Sequence, residues 1–325
     1  MDEKISALYS EYVIDGMTQE ITPVRMLGGE DRRGYVHIID ESVDPDPFLK
    51  DYQTFPVAFA ALKTRMTMSI ALIDALWKDG HFRMGNLNIG ASWCWNEDRL
   101  GNMAAFYFSV KALADYCDEL GLDIREYDYS RAEDACSVDV SVGVDSSDGS
   151  GGEKPFSIDN PWLGLSAKYP FTTCCDPKSW IIYVPFETEW GTDDPDYFID
   201  CYELVRELVE DGIILSGCTV SGGLGPSLEK YVLKTGAAVR LAEIKNYFEQ
   251  RDSGRILSDD VPGVLFQIRD TDYDYIDAEF LLQDVAYFPL GNPKGGSLYF
   301  DMTDKSGIQT ILESLISSQS SEGED

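Results

Sequence analysis

The sequence predicts an α/β fold, layered in the α+β manner, with mixed sheets covered by helices and divided between two domains. Three observations predict it. Short apolar runs that alternate or stay continuous recur between longer segments of helical periodicity. A glycine- and serine-rich stretch at 145–152 separates two parts of similar length, and loops of that composition mark domain boundaries. The 325 residues are 44% hydrophobic and 12% aromatic, enough to fill two modest cores.

Residues 1–50 are polar and turn-rich, with Gly28-Gly29 and Asp44-Pro45-Asp46-Pro47, and Val36-His37-Ile38-Ile39 is the strand expected there. Over 55–77 the residues Ala58, Leu62, Met66, Ile70, Ile73 and Trp77 recur at helical spacing and Lys78-Asp79-Gly80 supplies a stop, which predicts a long, substantially buried helix. Alternation over 82–90 predicts a strand that ends in a polar, glycine-bearing loop. A helix over 102–120 follows, ended by Gly121, and 137–144 alternates as a strand. Beyond the linker come strand 180–186, helix 197–210, strand 213–216, a turn at Gly222-Gly223, helix 226–235, an apolar run at 237–241 and a helix near 243–250. Strands at 263–269, 285–290 and 297–302 complete the series. The domains are therefore expected at 1–152 and 153–316, with a disordered serine- and acid-rich tail at 317–325.

The formal charge of −32 opposes contact with nucleic-acid phosphates or anionic lipid, so neither nucleic acid nor membrane is an expected partner. Solvated charge, as in adaptation to a salty environment, is the plain explanation; docking on a basic partner is the other. The apolar runs fall short of the roughly 20 residues that span a bilayer, and the N-terminus lacks a secretory pattern. Seven cysteines without framework spacing, including Cys174-Cys175, read as reduced thiols in the cytoplasm. With only His37 and His81 and no C-x-x-C pair, no zinc site is expected.

Four segments in one order resemble the synthetase family that contains phosphoribosylformylglycinamidine synthase and aminoimidazole ribonucleotide synthetase. They are the long helix with Lys78-Asp79-Gly80, then Gly85-Asn86-Leu87-Asn88-Ile89-Gly90 through Trp93-Cys94-Trp95 and on to the helix ending at Gly121. Pro161-Trp162-Leu163-Gly164-Leu165 leads next to 180–186. Last come 204–212, Ser216 to Leu224, and Gly263-Val264-Leu265-Phe266-Gln267-Ile268. The last segment is similar to the family's H-D-x-S-D-G-G-L element and the strand after it.

The resemblance implies a synthetase-like protomer, a cleft that binds ATP and Mg2+, and pairing into a homodimer or with a partner synthetase subunit. Its nucleotide- or phosphate-binding candidates are Asn86, Asn88, Gly90, Asp128, Ser130, Ser221, Gly222 and Gly223. Asn86 and Asn88 would face one side together at a strand end, while Arg125-Glu126-Tyr127-Asp128-Tyr129-Ser130 stands where the family has a nucleotide-contacting loop. Gly222-Gly223 is either a tight turn needing positive φ or a close approach to phosphate.

Magnesium needs hard oxygen ligands, yet the family's helical glutamate and asparagine fall on Thr67 and Ala71. Its histidine and two aspartates fall on Gly217, Cys218 and Ser221. Cys218 reads as a buried thiol and His37 as an ordinary strand histidine, so catalytic residues are not assigned. Two functions follow. One is the ATP-dependent conversion of formylglycinamide ribonucleotide to its amidine, with a weakened or lost site; the other is a non-catalytic nucleotide-binding or assembly protein recruited from the fold, a viral one included.

Overall fold

The computed structural model describes residues 7–31, 36–44, 55–77, 82–144, 170–187, 194–248, 257–258 and 261–301. The expected linker at 145–152, Lys78-Asp79-Gly80, Pro161 to Leu165 and the tail at 317–325 lie outside them. Strands β1 (Glu11–Ile14), β2 (Met17–Thr18) and β3 (His37–Asp40) form a small sheet with β1 in the middle, antiparallel to β2 and parallel to β3. The short α1 (Pro23–Met26) follows β2 in the chain.

Helix α2 (Val57–Ala75) and helix α3 (Asn102–Leu120) flank β4 (Leu87–Trp95) in sequence. β4 is the middle strand between β5 (Asp123–Arg131), parallel to it, and β6 (Ser137–Val144), antiparallel to it. Alternate side chains of β4, Ile89, Ala91, Trp93 and Trp95, enter the core with Val138 and Val142 of β6, as the two-residue period of a strand requires. Gly101 starts α3 and Gly121 ends it at φ 85° and 68°, conformations that cost glycine nothing. The Leu122 amide closes that end on the Cys117 carbonyl at 2.8 Å.

The second large sheet runs β11-β7-β10-β8, antiparallel throughout: β7 (Ser179–Pro185), β8 (Ser216–Val220), β10 (Gly263–Arg269) and β11 (Phe288–Gly291). Ile182, Val184, Val264, Phe266 and Ile268 face one core, shared with α2, α3, α4 (Pro195–Glu210) and α7 (Tyr273–Leu282). Ile181, Tyr183, Cys218, Val220 and Leu265 face a second core with α5 (Leu224–Tyr231) and α6 (Ala242–Tyr247). A sheet covered on both faces has no polar side to show, which is why β7 and β10 read as nearly unbroken apolar runs. β9 (Ala238–Arg240) and β12 (Tyr299–Asp301) pair in parallel beside it.

Several expectations need correction. Leu87 opens the strand expected to end near Gly90, and Asn86 belongs to a 3-10 turn before it. The strand expected at 213–216 is instead Ser216–Val220, and 125–130 is part of β5 rather than a loop. α2 turns its N-terminal half the other way round: Phe59 is 51% and Leu62 44% exposed, while Ala60, Thr64 and Met68 are buried. Two helices that lie close need small residues at the crossing, and the Thr64 and Ser109 hydroxyls there share a 2.6 Å hydrogen bond.

Candidate functional site

β8 delivers the chain to Ser221-Gly222-Gly223, and α5 begins at Leu224. Gly222 and Gly223 have φ of 68° and 96°, so the turn needs glycine. The Ser227 hydroxyl ties it together, donating to the Gly223 carbonyl at 2.9 Å and the Ser221 carbonyl at 3.2 Å, with the Ser221 amide 3.3 Å from the same oxygen. A strand, a glycine turn and a helix N-terminus in series make the usual cradle for an anion. Here other main chain lies close against the turn. A Cβ on Gly223 would stand 2.7 Å from the Leu257 carbonyl oxygen, and one on Gly225 would stand 3.2 Å from it. Main chain at 257–258 therefore packs against the turn and leaves no room for a side chain at Gly223.

Beneath the turn, Gly217 admits the Trp77 ring, which a Cβ would meet at 2.3 Å. The indole Nε1 donates to the Thr219 hydroxyl at 3.1 Å, and that hydroxyl donates to the Asp74 carboxylate. All three side chains are buried, so this network joins α2 to β8 with its polar groups matched to one another. Asp74 and Thr219 were not among the residues singled out from sequence; an acid amid the apolar run Ile70 to Trp77 is the signal that marks a buried partner. Cys218, beside them, is fully buried, and burial followed by the negative charge of Asp74 pushes its thiol well above the ordinary value. A thiol held protonated is a poor nucleophile.

The other candidates lie on the β5-β4-β6 sheet. Register sets Gly90, Ser92 and Cys94 beside Glu126, Asp128 and Ser130 on one side and Ser141, Asp139 and Ser137 on the other, all facing away from the core. Asn88 is buried, with its Oδ1 2.4 Å from where a Cβ on Gly143 would be, and a Cβ on Gly90 would meet the Ser141 hydroxyl at 2.5 Å. Asn88, Gly90, Asp128 and Ser130 thus share a face of small polar residues. Asn86 is exposed and outside the strand, so it does not face one side with Asn88. Ser221, Gly222 and Gly223 follow a strand of the other large sheet. His37 is exposed with its Nδ1 3.2 Å from Glu11 Oε2.

The positions that the resemblance sets against magnesium ligands do not suit the metal. The Thr67 hydroxyl donates to the Lys63 carbonyl at 2.8 Å, Ala71 is buried, and Gly217 and Cys218 are occupied as described. Among the described residues no group of three or more His, Cys, Asp or Glu could hold a metal ion. Among the described residues, the positions that the resemblance sets against magnesium ligands supply no carboxylate. No described helix is long and apolar enough to cross a membrane.

No protein family profile matches the sequence. No curated protein matches it either. Solved structures do resemble the fold. PurL of T. maritima complexed with ATP superposes at a TM-score of 0.53 and 12% identity, over 76% of this chain and 40% of that one. PurLQS from Thermotoga maritima gives 0.53 and 13% over 78% and 42%, and thiamine-monophosphate kinase from Stenotrophomonas maltophilia K279a gives 0.50 and 12% over 78% and 83%. The chain spans about two fifths of the length of the Thermotoga chains. It has the mixed α/β fold of these proteins, the aminoimidazole ribonucleotide synthetase-like fold.

Proposed function

We propose that this chain is a non-catalytic descendant of the ATP-binding half of phosphoribosylformylglycinamidine synthase, working through its surfaces as a homodimer or as the partner of a complete synthetase subunit. The observation that carries the reading is the Leu257 carbonyl packed against Gly223, which brings other main chain up to the glycine turn. Thr67 at the family's magnesium position supports it, since a hydroxyl already bonded to the Lys63 carbonyl does not replace a carboxylate ligand. The two outer strands of β5-β4-β6 are the surface proposed for pairing, because open sheet edges call for a cover.

Calorimetry with ATP and magnesium is expected to give no binding heat at micromolar protein, and formylglycinamide ribonucleotide with ammonia is expected to leave ATP unhydrolysed. Robust hydrolysis that depends on formylglycinamide ribonucleotide would overturn the reading and make the chain a working purine-biosynthetic ligase. Light scattering is expected to show a dimer. A strictly monomeric chain at micromolar concentration would remove the pairing part alone.

A further inference from the structure

Gln267 is a fully buried amide within the apolar run of β10. Its side chain holds a loop. The Oε1 accepts from the Cys174 amide at 2.9 Å, and the Nε2 donates to the Cys174 carbonyl at 3.0 Å and to the Ser179 hydroxyl at 2.7 Å. The Ser216 hydroxyl donates to the same Oε1 at 3.3 Å, so both ends of the amide are matched. On either side of Cys174 the chain is tied as well. The Thr173 amide donates to the Tyr231 carbonyl at 2.9 Å, and the Asp176 amide returns to the Cys174 carbonyl at 2.9 Å, turning the chain around Cys175.

This frame presents two adjacent thiols to solvent. Cys174 and Cys175 are exposed, whereas Cys117, Cys201 and Cys218 are buried. Consecutive Cα atoms stand about 3.8 Å apart across a trans peptide, closer than the roughly 4.4–6.8 Å of ordinary disulfides. A bond between neighbours therefore closes a small ring under strain. Strained, exposed disulfides are the readily reduced ones, suited to opening and closing rather than to holding a fold.

We propose that Cys174 and Cys175 form a reversible oxidation site, closed to a vicinal disulfide by a small-molecule disulfide such as oxidised glutathione and reopened by thiols. One cysteine thiolate attacks the oxidised glutathione, forming a mixed disulfide and releasing one glutathione thiolate, which takes up a proton. The neighbouring thiolate attacks the cysteine sulfur of that mixed disulfide and expels the second glutathione, which is protonated in turn. Two cysteine thiols lose two electrons and two protons, and one glutathione disulfide gains them as two thiols. The ring twists the peptide whose carbonyl Gln267 and Asp176 hold, so oxidation pulls that carbonyl from the buried amide and loosens the loop from β10.

The test equilibrates the reduced full chain with glutathione buffers of rising oxidised share, alkylates free thiols and weighs the tryptic peptide 169–178, which carries these two cysteines and no other. Loss of both alkylations and of two hydrogen atoms is expected, with no glutathione adduct and full reversal by dithiothreitol. In Cys174→Ser and in Cys175→Ser, both at exposed positions, the remaining cysteine should keep its glutathione because the second thiol is gone. Amides of 173–176 should exchange about tenfold faster in the oxidised chain, as the loss of one net hydrogen bond allows, with β7 unchanged. A parent chain that retains glutathione on either cysteine overturns the proposal, as does one that links two chains through them or stays doubly alkylated in fully oxidised glutathione. Exchange at 173–176 that oxidation leaves unchanged would overturn the coupling to Gln267.

Discussion

The carboxylate of Asp40, at the end of β3, accepts a hydrogen bond from the Gly101 amide at 2.8 Å, sixty-one residues along the chain. Its other oxygen accepts from the Met103 and Ala104 amides at 2.9 and 3.0 Å, so an acid of the small sheet serves the open N-terminus of α3. Gly101 has no side chain to do so itself.

Asp40→Ala leaves buried N–H groups without their acceptor and should cost about 2 kcal/mol. Asp40→Asn, which keeps an acceptor but loses the charge facing the helix dipole, should cost less. Urea unfolding midpoints at constant slope measure both; an Asp40→Ala midpoint equal to that of the unmodified chain would contradict the capping role.

Gly217 and Trp77 should behave as one unit. Gly217→Ala places a methyl within the Trp77 ring and is expected to destabilise by about 2 kcal/mol through overpacking. Trp77→Phe loses the bond to Thr219 and should cost about 1–2 kcal/mol. In the Trp77→Phe background the alanine should cost less, giving a coupling of about 1 kcal/mol in a double-mutant cycle. Additive costs would show that the two side chains do not compete for space.

Alkaline pH should weaken the fold. Burial, and less so the neighbouring Asp118, pushes the Cys117 thiol from 9.0 to about 12, and burial with Asp115 pushes the Tyr107 hydroxyl from 10.0 to about 12. The unfolded chain releases these protons first, so it binds fewer protons between about pH 9 and 12 and stability falls with rising pH there. Below pH 9 this contribution is fully present. Chemical denaturation at pH 8 and pH 10.5 will measure the loss, and equal midpoints would exclude it. A thiol reagent at pH 8 should modify exposed Cys174 and Cys175 quickly and leave buried Cys117, Cys201 and Cys218 until unfolding.

Salt should stabilise the chain. A net charge of −32 repels itself over a Debye length of about 30 Å at 0.01 M salt, and about 8 Å at 0.15 M. Thermal scans in one buffer should show a rising midpoint with added potassium chloride. A constant midpoint would make the acidic surface energetically neutral.

The parts of the fold legible in the sequence are those where local pattern and tertiary burial agree. α3 has helical periodicity closed by Gly121, and β7 and β10 are apolar on both faces because both are covered. β5 escaped notice because Arg125 sits at a bulge between the pairs Ile89–Ile124 and Gly90–Glu126. The extra residue breaks the alternation of Ile124, Tyr127 and Tyr129 toward the core. β8 was misplaced because Gly217 looks like a turn residue, whereas its lack of a side chain is what lets an indole from α2 in. The outward apolar face of α2 misled for a similar reason: Thr64 and Ser109, polar in sequence, satisfy each other inside.

The indole in the space beside Gly217 also limits what position 217 can hold. The family resemblance sets a histidine at that position, and a histidine there and a tryptophan at 77 exclude one another sterically. Changing either position alone passes through a clash, or through an unfilled hole in which the Thr219 hydroxyl loses the indole donor. Packing therefore couples the two elements: a larger side chain at position 217 is possible only with a coordinated change at position 77.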